Sequence, residues 1–292
     1  MKVFVTGVNS FIGKHLIQLC RDQNVPYGGV DLVPNDDKAC SQGDIRDPQL
    51  GDLISEGTDA LIHLAALSRD DDCRGNLKDC FDINVMGTLN LLEIAKKKNV
   101  KQFIFASSEW VYGNTLDHSS KSEETIINPV NLTSEYALSK FVSEISLVAS
   151  PVPSTVLRFG IVYGPRLGNW SAVEALFSSV ANLETITVKS LKTSRKYIHV
   201  SDVSDAILAT IGLAGSEIIN IQGPALIKLE DIIEISSRIL GKTPTVVEEE
   251  RNSPNIRNIS GEKATELLGW KPKVSIEDGL LQLDKFLRDS KT

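Results

Sequence analysis

From residue 2 to about residue 159, short apolar runs rich in β-branched residues alternate with amphipathic stretches. Residues 2–6 (KVFVT) read as a strand, and Phe11–Asp22 (FIGKHLIQLCRD) carries apolar residues at helical spacing, with Cys20 on the core side. Tyr27–Asp31 and residues 60–64 read as further strands. Residues 76–98 read as one long helix ending in three lysines, which suit a helix C-terminus. Residues 101–106 form a strand pattern, 134–149 a helix and Ser154–Phe159 another strand. Repetition of β-α-β predicts an α/β fold, a doubly wound parallel sheet with helices on both faces. Beyond about residue 161 the rhythm breaks at Gly164-Pro165, Gly168 and Gly223-Pro224, with a loop over 248–259 and two helical stretches near the end. The pattern predicts a first domain over 1–160 and a smaller mixed α/β C-terminal lobe over 161–292, with residues 195–220 returning to the first domain.

Composition narrows the partners more than the fold. The 292 residues are 41% hydrophobic and 24% charged, an ordinary balance for a folded chain. Lys+Arg number 31 against 38 Asp+Glu, a net charge of −7 with the charges dispersed, so a basic footprint for nucleic acid or an anionic membrane is absent. No apolar run approaches the ~20 residues that span a bilayer, and Met1-Lys2 runs into Val3-Phe4-Val5-Thr6-Gly7 without the apolar core of a secretory signal. Cys20, Cys40, Cys73 and Cys80 have neither CxxC spacing nor neighbouring histidines, so zinc and a disulfide scaffold are disfavoured; reduced thiols in a cytoplasmic protein are expected. The four scattered histidines predict no metal site; His63 reads as a packed residue at a strand end.

Candidate chemistry begins at Gly7-Val8-Asn9-Ser10-Phe11-Ile12-Gly13, where a strand becomes a helix. A dinucleotide-binding turn uses three glycines, for the turn itself, for approach of the pyrophosphate and for helix–sheet packing. Gly7 and Gly13 stand at the first and third of these positions and Ser10 at the second. Ser10 either widens the turn or gives its hydroxyl to phosphate, while the helix N-terminus still presents free N–H groups to an anion. Asp31 follows 18 residues after Gly13 at the end of the second predicted strand, where a carboxylate bonds ribose hydroxyls and repels a 2′-phosphate; NAD is therefore expected over NADP. Asp44 and Ile45, after a third strand, are placed to meet the adenine edge.

Tyr136 and Lys140 lie four residues apart, on one face of a predicted helix. A phenol with an unperturbed pKa of about 10 needs help to act as a base near neutrality, and a lysine ammonium supplies it. Ser108, at the end of the predicted strand before it, is positioned to hold a substrate oxygen.

Taken in order, the motifs TGVNSFIG (6–13), Asp31, GDIRD (43–47), HLAA (63–66), NVMGTLNLLE (84–93), SSEWVYG (107–113), YALSK (136–140), LRFGIVYGPR (157–166), RKYIHVSDV (195–203) and LGWKPKVSIEDGL (268–280) cover nearly the whole chain. Together they resemble the extended short-chain dehydrogenase/reductases, the NAD-dependent nucleotide-sugar epimerases and dehydratases. The resemblance implies a Rossmann domain that binds NAD and a substrate lobe. Ser108, Tyr136 and Lys140 match the family's catalytic set. Phe11 and Ile12 match the backbone positions over the pyrophosphate; Leu64, Ala65 and Ala66 match residues lining the cofactor, and Asn84 one beside it. Arg195 matches an arginine on the sugar-nucleotide phosphate, and Arg251 or Arg257 a second.

Departures from the family pattern refine the expected reaction. Ile161 replaces an asparagine used on the substrate side, and Lys196 replaces an aspartate beside Arg195. The 4,6-dehydratases carry an Asp-Glu pair after the catalytic hydroxyl residue, and here those positions are Glu109-Trp110, which argues against elimination; Glu109 either contacts substrate or is solvated. A nucleotide-sugar 4-epimerase is expected, with Tyr136 as acid and base and a transient 4-keto sugar. A 4-keto reductase, dehydratase or sugar dehydrogenase is the alternative, and a non-catalytic NAD-sensing binding protein the alternative of another class. By analogy with the family, a homodimer through the helices holding Asn84 and Tyr136 is expected.

Overall fold

The computed structural model describes residues 1–113, 119–168 and 170–290. They fall into two compact units: one built from residues up to Gly113 with Glu123–Phe159 and Ser204–Asn220, the other from residues 119–122, Gly160–Val203 and 221–290.

The first unit holds a seven-stranded sheet. Its strands are β1 (Val3–Thr6), β2 (Tyr27–Asp31), β3 (Cys40–Gln42), β4 (Ala60–His63), β5 (Phe103–Ser108), β6 (Ser154–Phe159) and, last in the chain, Glu217–Ile221. Spatial order from one edge is Glu217–Ile221, β6, β5, β4, β1, β2, β3. Strands β1 to β6 pair in parallel, with Val3 opposite both Tyr27 and Ala60, Leu61 opposite Phe103, and Phe103 opposite Ser154. The order reverses direction between β1 and β4, the place where doubly wound sheets present a crevice at their carboxyl ends. Every residue of β1, β4 and β6 is buried, as expected where helices cover both faces. Cys20 lies in the core with Leu16 and Ile17, on the inward stripe of the helix Phe11–Asp22.

The helix expected over 76–98 runs without a break from Leu77 to Lys97 and carries a π turn over Asp82–Met86 between α-helical Leu77–Phe81 and Gly87–Lys97. The Asn84 carbonyl accepts from the hydroxyls of Thr88 at 2.6 Å and Ser143 at 3.0 Å. Those hydroxyls compete for an acceptor that a regular turn gives to a backbone N–H, and the helix widens where they do so.

The second unit packs the helices Ala172–Asn182, Leu229–Leu240 and Ile276–Asp289 around Tyr163, Phe177, Tyr197, Ile232 and Leu280. Its strands form two-residue and four-residue pairs, such as Thr185–Val188 with Thr245–Glu248 in parallel. The Asp202 carboxylate accepts from the Lys273 and Val274 N–H groups at 3.1 and 3.0 Å, fastening the segment before the last helix. Among the described residues, no helix is long and apolar enough to cross a membrane, and no group of three potential ligands is placed to hold a metal ion.

Candidate active site

The glycine turn is tight for two separate reasons. Gly7 has φ +77°, and a Cβ there would stand 2.8 Å from the Ala65 backbone nitrogen. At Gly13 an added Cβ would meet the Gly7 carbonyl oxygen at 2.1 Å, so the third glycine lets the helix start against the turn. Ser10 caps that helix: its Oγ accepts from the Gly13 N–H at 3.0 Å and its backbone is extended. The hydroxyl is thus engaged on the helix itself. Phe11 and Ile12 form the first turn, half-buried beside it.

Asp31 closes the turn from the other side. One carboxylate oxygen accepts from the Asn9 N–H at 2.9 Å and the other from the Val33 N–H at 3.1 Å. Asn9 in turn donates to the Val33 carbonyl at 2.8 Å and accepts from Asn35 at 2.7 Å. The acidic residue therefore sits on the glycine loop, with lone pairs left for a ligand hydroxyl. Asp44 accepts from Arg46, Oδ2 at 2.5 Å, and this hydrogen bond holds its carboxyl below the usual range. Ile45 is buried, its side chain filling the space where Gly87 has no Cβ.

The segment after β4 forms the next wall. The Leu64 N–H donates to the Thr6 carbonyl at 3.2 Å and the Ala65 N–H to Thr6 Oγ1 at 3.3 Å. Asn84, buried in the π turn, accepts from the Leu67 N–H at 2.8 Å and donates to the Leu67 carbonyl and Ser139 Oγ, each at 3.0 Å. Its amide holds the 64–67 wall in place, which leaves Ala65 and Ala66 half-buried.

Ser108 ends β5, and Tyr136 and Lys140 share a face of the helix Glu135–Val148. Burial pushes the Tyr136 phenol up to about 12, and a hydrogen bond with Ser108 opposes that rise. Lys140 is buried as well, which brings its ammonium down to about 8. Its Nζ donates to the Ala106 carbonyl at 2.8 Å and lies 4.7 Å from the Phe105 ring centre and 5.9 Å from that of Tyr136. Trp110 meets Tyr136 edge-on with ring centres 6.5 Å apart. Glu109 is fully buried, which removes the solvated alternative for this carboxylate.

In the second unit, Arg195 donates through Nη1 to the Ser194 and Asn255 carbonyls at 2.8 and 2.7 Å and through Nη2 to the Asn255 side chain at 2.9 Å. Arg257 is buried and its N–H donates to the Ser194 carbonyl at 3.1 Å, whereas Arg251 is exposed. Ile161 packs against the apolar core of that unit.

Sequence reasoning missed the polar layer behind β5. Glu144 is gripped by Arg158 through Nε at 3.1 Å and Nη2 at 2.7 Å, and it accepts from the Ser107 hydroxyl. Arg158 also donates to the Tyr112 hydroxyl at 3.0 Å, which donates to Asn220 at 2.8 Å. The one visible signal was Glu144 four residues after Lys140, on the same helix face; its partners lie far away in sequence. His63 does occupy a strand end, as read, bonded through Nδ1 to Thr6 Oγ1 at 2.8 Å and through Nε2 to Thr88 Oγ1 at 3.0 Å.

A model of the family described as "NAD dependent epimerase/dehydratase family" matches residues 3–221. A putative UDP-glucose 4-epimerase of Methanocaldococcus jannaschii is 27% identical over 99% of both chains. The GDP-6-deoxy-D-mannose reductase of Pseudomonas aeruginosa is 28% identical over 96% of this chain and 94% of its own. Among solved structures, the UDP-glucose 4-epimerase of Thermotoga maritima with UDP-glucose superposes with a TM-score of 0.88 at 26% identity, over 100% of both chains.

Proposed function

Because the chain belongs to the NAD-dependent epimerase/dehydratase family, we propose that it is a nucleotide-sugar 4-epimerase with Tyr136 as its acid and base. The residues of the first unit fit the dinucleotide. A helix N-terminus opens directly from a turn that Gly7 and Gly13 keep free of side chains, and the Asp31 carboxylate is fastened to the same loop. Gly7, Ser10, Phe11, Ile12, Gly13, Asp31, Asp44, Ile45, Leu64, Ala65, Ala66, Asn84, Tyr136 and Lys140 are its proposed contacts, all from that unit. When bound in its oxidised form, NAD supplies a hydride acceptor and a positive charge beside the phenol.

The chain's own groups do the rest. Ser108 holds the sugar C4 oxygen, and Tyr136 takes the C4 hydroxyl proton and later returns it to the 4-keto sugar after the ring has turned over. Lys140, still largely protonated at neutral pH, holds positive charge near the phenol. One observation carries the choice of reaction: Ser108, Tyr136 and Lys140 come together, while the position that would complete an acidic pair is Trp110, packed on Tyr136. An indole cannot carry the second proton that elimination needs. Glu109, Arg195 and Arg257 are proposed substrate contacts.

The test is direct. With NAD, the protein should interconvert UDP-glucose and UDP-galactose, or the equivalent pair on another nucleotide, with no net change in NADH absorbance; no interconversion of any UDP-, GDP- or dTDP-hexose would exclude the assignment. Tyr136→Phe should lower turnover by about 10²–10⁴-fold while NAD stays bound. A 4-keto reductase is the second reading, favoured by the similarity to the mannose reductase, and it would show net consumption of reduced cofactor. Met86, Ile145 and Val148 are more than half exposed on the segments that carry Asn84 and Tyr136, which supports pairing of two copies there.

A further inference from the structure

Behind the tyrosine lie two thiols that the proposed reaction does not use. Cys73 ends the short helix Asp70–Cys73 and Cys80 lies near the start of the helix that runs from Leu77 to Lys97, with Gly75 at φ +70° in the turn that joins them. Both are fully buried. The Cys80 and Cys73 sulfurs are in direct contact. Tyr136 completes this apolar cluster, with Leu67 and Trp110 packed against it. The Asn84 amide nitrogen stands 3.6 Å from the Cys80 sulfur and 4.0 Å from that of Cys73. The pair therefore touches both the acid–base residue and the residue that holds the 64–67 wall.

We propose that Cys73 and Cys80 form a modification site, closed to a disulfide by a small peroxide oxidant, and that the closed form turns over more slowly because the bond is made in the wall that carries Tyr136. One sulfur attacks hydrogen peroxide: an S–O bond forms, the O–O bond breaks and water leaves, giving a sulfenic acid. The second sulfur attacks the first, the S–S bond forms, the S–O bond breaks and a second water leaves. Two thiols and one peroxide thus become one disulfide and two waters, and a dithiol reductant reverses the change. Burial pushes the Cys73 thiol up, so that thiol stays protonated at rest, and with both sulfurs buried a bulky disulfide cannot reach them. Asp70–Cys73 is a single helical turn, which does not hold by itself, so the Cys73 side of the pair can open to admit a small oxidant and draw together afterwards. A shift of a fraction of an ångström under an acid–base group is enough to matter, since misplacement by about 1 Å can cost about 10²-fold.

The second half of the proposal rests on the acid–base role of Tyr136, and the test separates the two. The full chain is treated with hydrogen peroxide, alkylated, and digested with trypsin without reduction. Cleavage after Arg69, Arg74, Lys78 and Lys96 leaves the two cysteines on different peptides. The expected result is a linked pair of residues 70–74 and 79–96 that forms as turnover falls about tenfold or more, with both changes reversed by dithiothreitol and bound NAD unchanged. Turnover of Cys80→Ala, or of Cys73→Ala if the first variant does not fold, should resist the same treatment. Alkylated Cys73 and Cys80 with no linked peptide would overturn the site. A linked peptide with unchanged turnover, or equal loss of turnover in the alanine variants, would overturn the coupling. A linked peptide in a protein that turns over no nucleotide sugar would support the oxidation site and refute the epimerase reading instead.

Discussion

Burial of His63, beside the charge of Lys140, makes folding stability depend on pH. Its imidazole is enclosed between Thr6 and Thr88, and burial, with the nearby Lys140 charge, lowers its pKa from 6.5 to about 3. The unfolded chain takes up a proton as pH falls through 6.5, while the folded chain refuses it until about 3. Stability from this residue is therefore complete above 6.5 and lost progressively below it. Between pH 7 and pH 5, protonation of the unfolded state is worth about 2 kcal/mol, and the figure barely depends on how far below 5 the folded pKa lies. Urea unfolding of the parent protein and of His63→Gln at the two pH values isolates this contribution from every other titrating group. The parent should lose about 2 kcal/mol more than the variant between pH 7 and pH 5. Equal losses would refute the reasoning, as would an imidazole NMR titration of His63 with a midpoint near the unfolded value.

Three further outcomes follow from the same geometry. Gly13→Ala must push a Cβ away from the Gly7 carbonyl, which it would otherwise meet at 2.1 Å; the purified variant should lose its NAD and about 1–3 kcal/mol of stability, read by mass spectrometry and thermal unfolding. Because Lys140 gives up its proton near pH 8, kcat/KM should fall as pH rises through that value, and Lys140→Met should lack that limb of the profile. Arg158→Met leaves Glu144 buried without its bidentate partner and should cost about 3–5 kcal/mol in urea unfolding, whereas Glu144→Gln in the same chain should restore part of the loss.

Much of the first unit was legible because its signals are local. Strand runs, the helix that starts after Gly7-Val8-Asn9-Ser10, and the Tyr136–Lys140 spacing all concern residues within a few turns of each other. The helix over 76–98 was legible from its period, whereas its π turn was not, because the Ser143 hydroxyl that bonds the Asn84 carbonyl there lies 59 residues away. Glu109 offered two readings in the sequence, a substrate contact or a solvated residue, and only its burial removed the second. The network from Ser107 through Glu144 and Arg158 to Asn220 was invisible for the same reason: each partner is an ordinary polar residue until the sheet brings it to the others.

By itself the sequence determined the alternation of strands and helices, the family, and which residue types stand at the turn, the acidic position and the catalytic helix. The family follows from the resemblance of the ordered motifs, the rest from periodicity and spacing, which a linear chain carries in full. Only the tertiary structure decided that Ser10 spends its hydroxyl on a helix cap, that Asn84 braces a wall, that burial drives Tyr136, Lys140 and His63 away from their ordinary pKa values, and that Cys73 and Cys80 meet beneath the tyrosine. Desolvation and hydrogen bonding depend on what surrounds a group in three dimensions, and the neighbours that set them are brought in by the fold rather than by the chain.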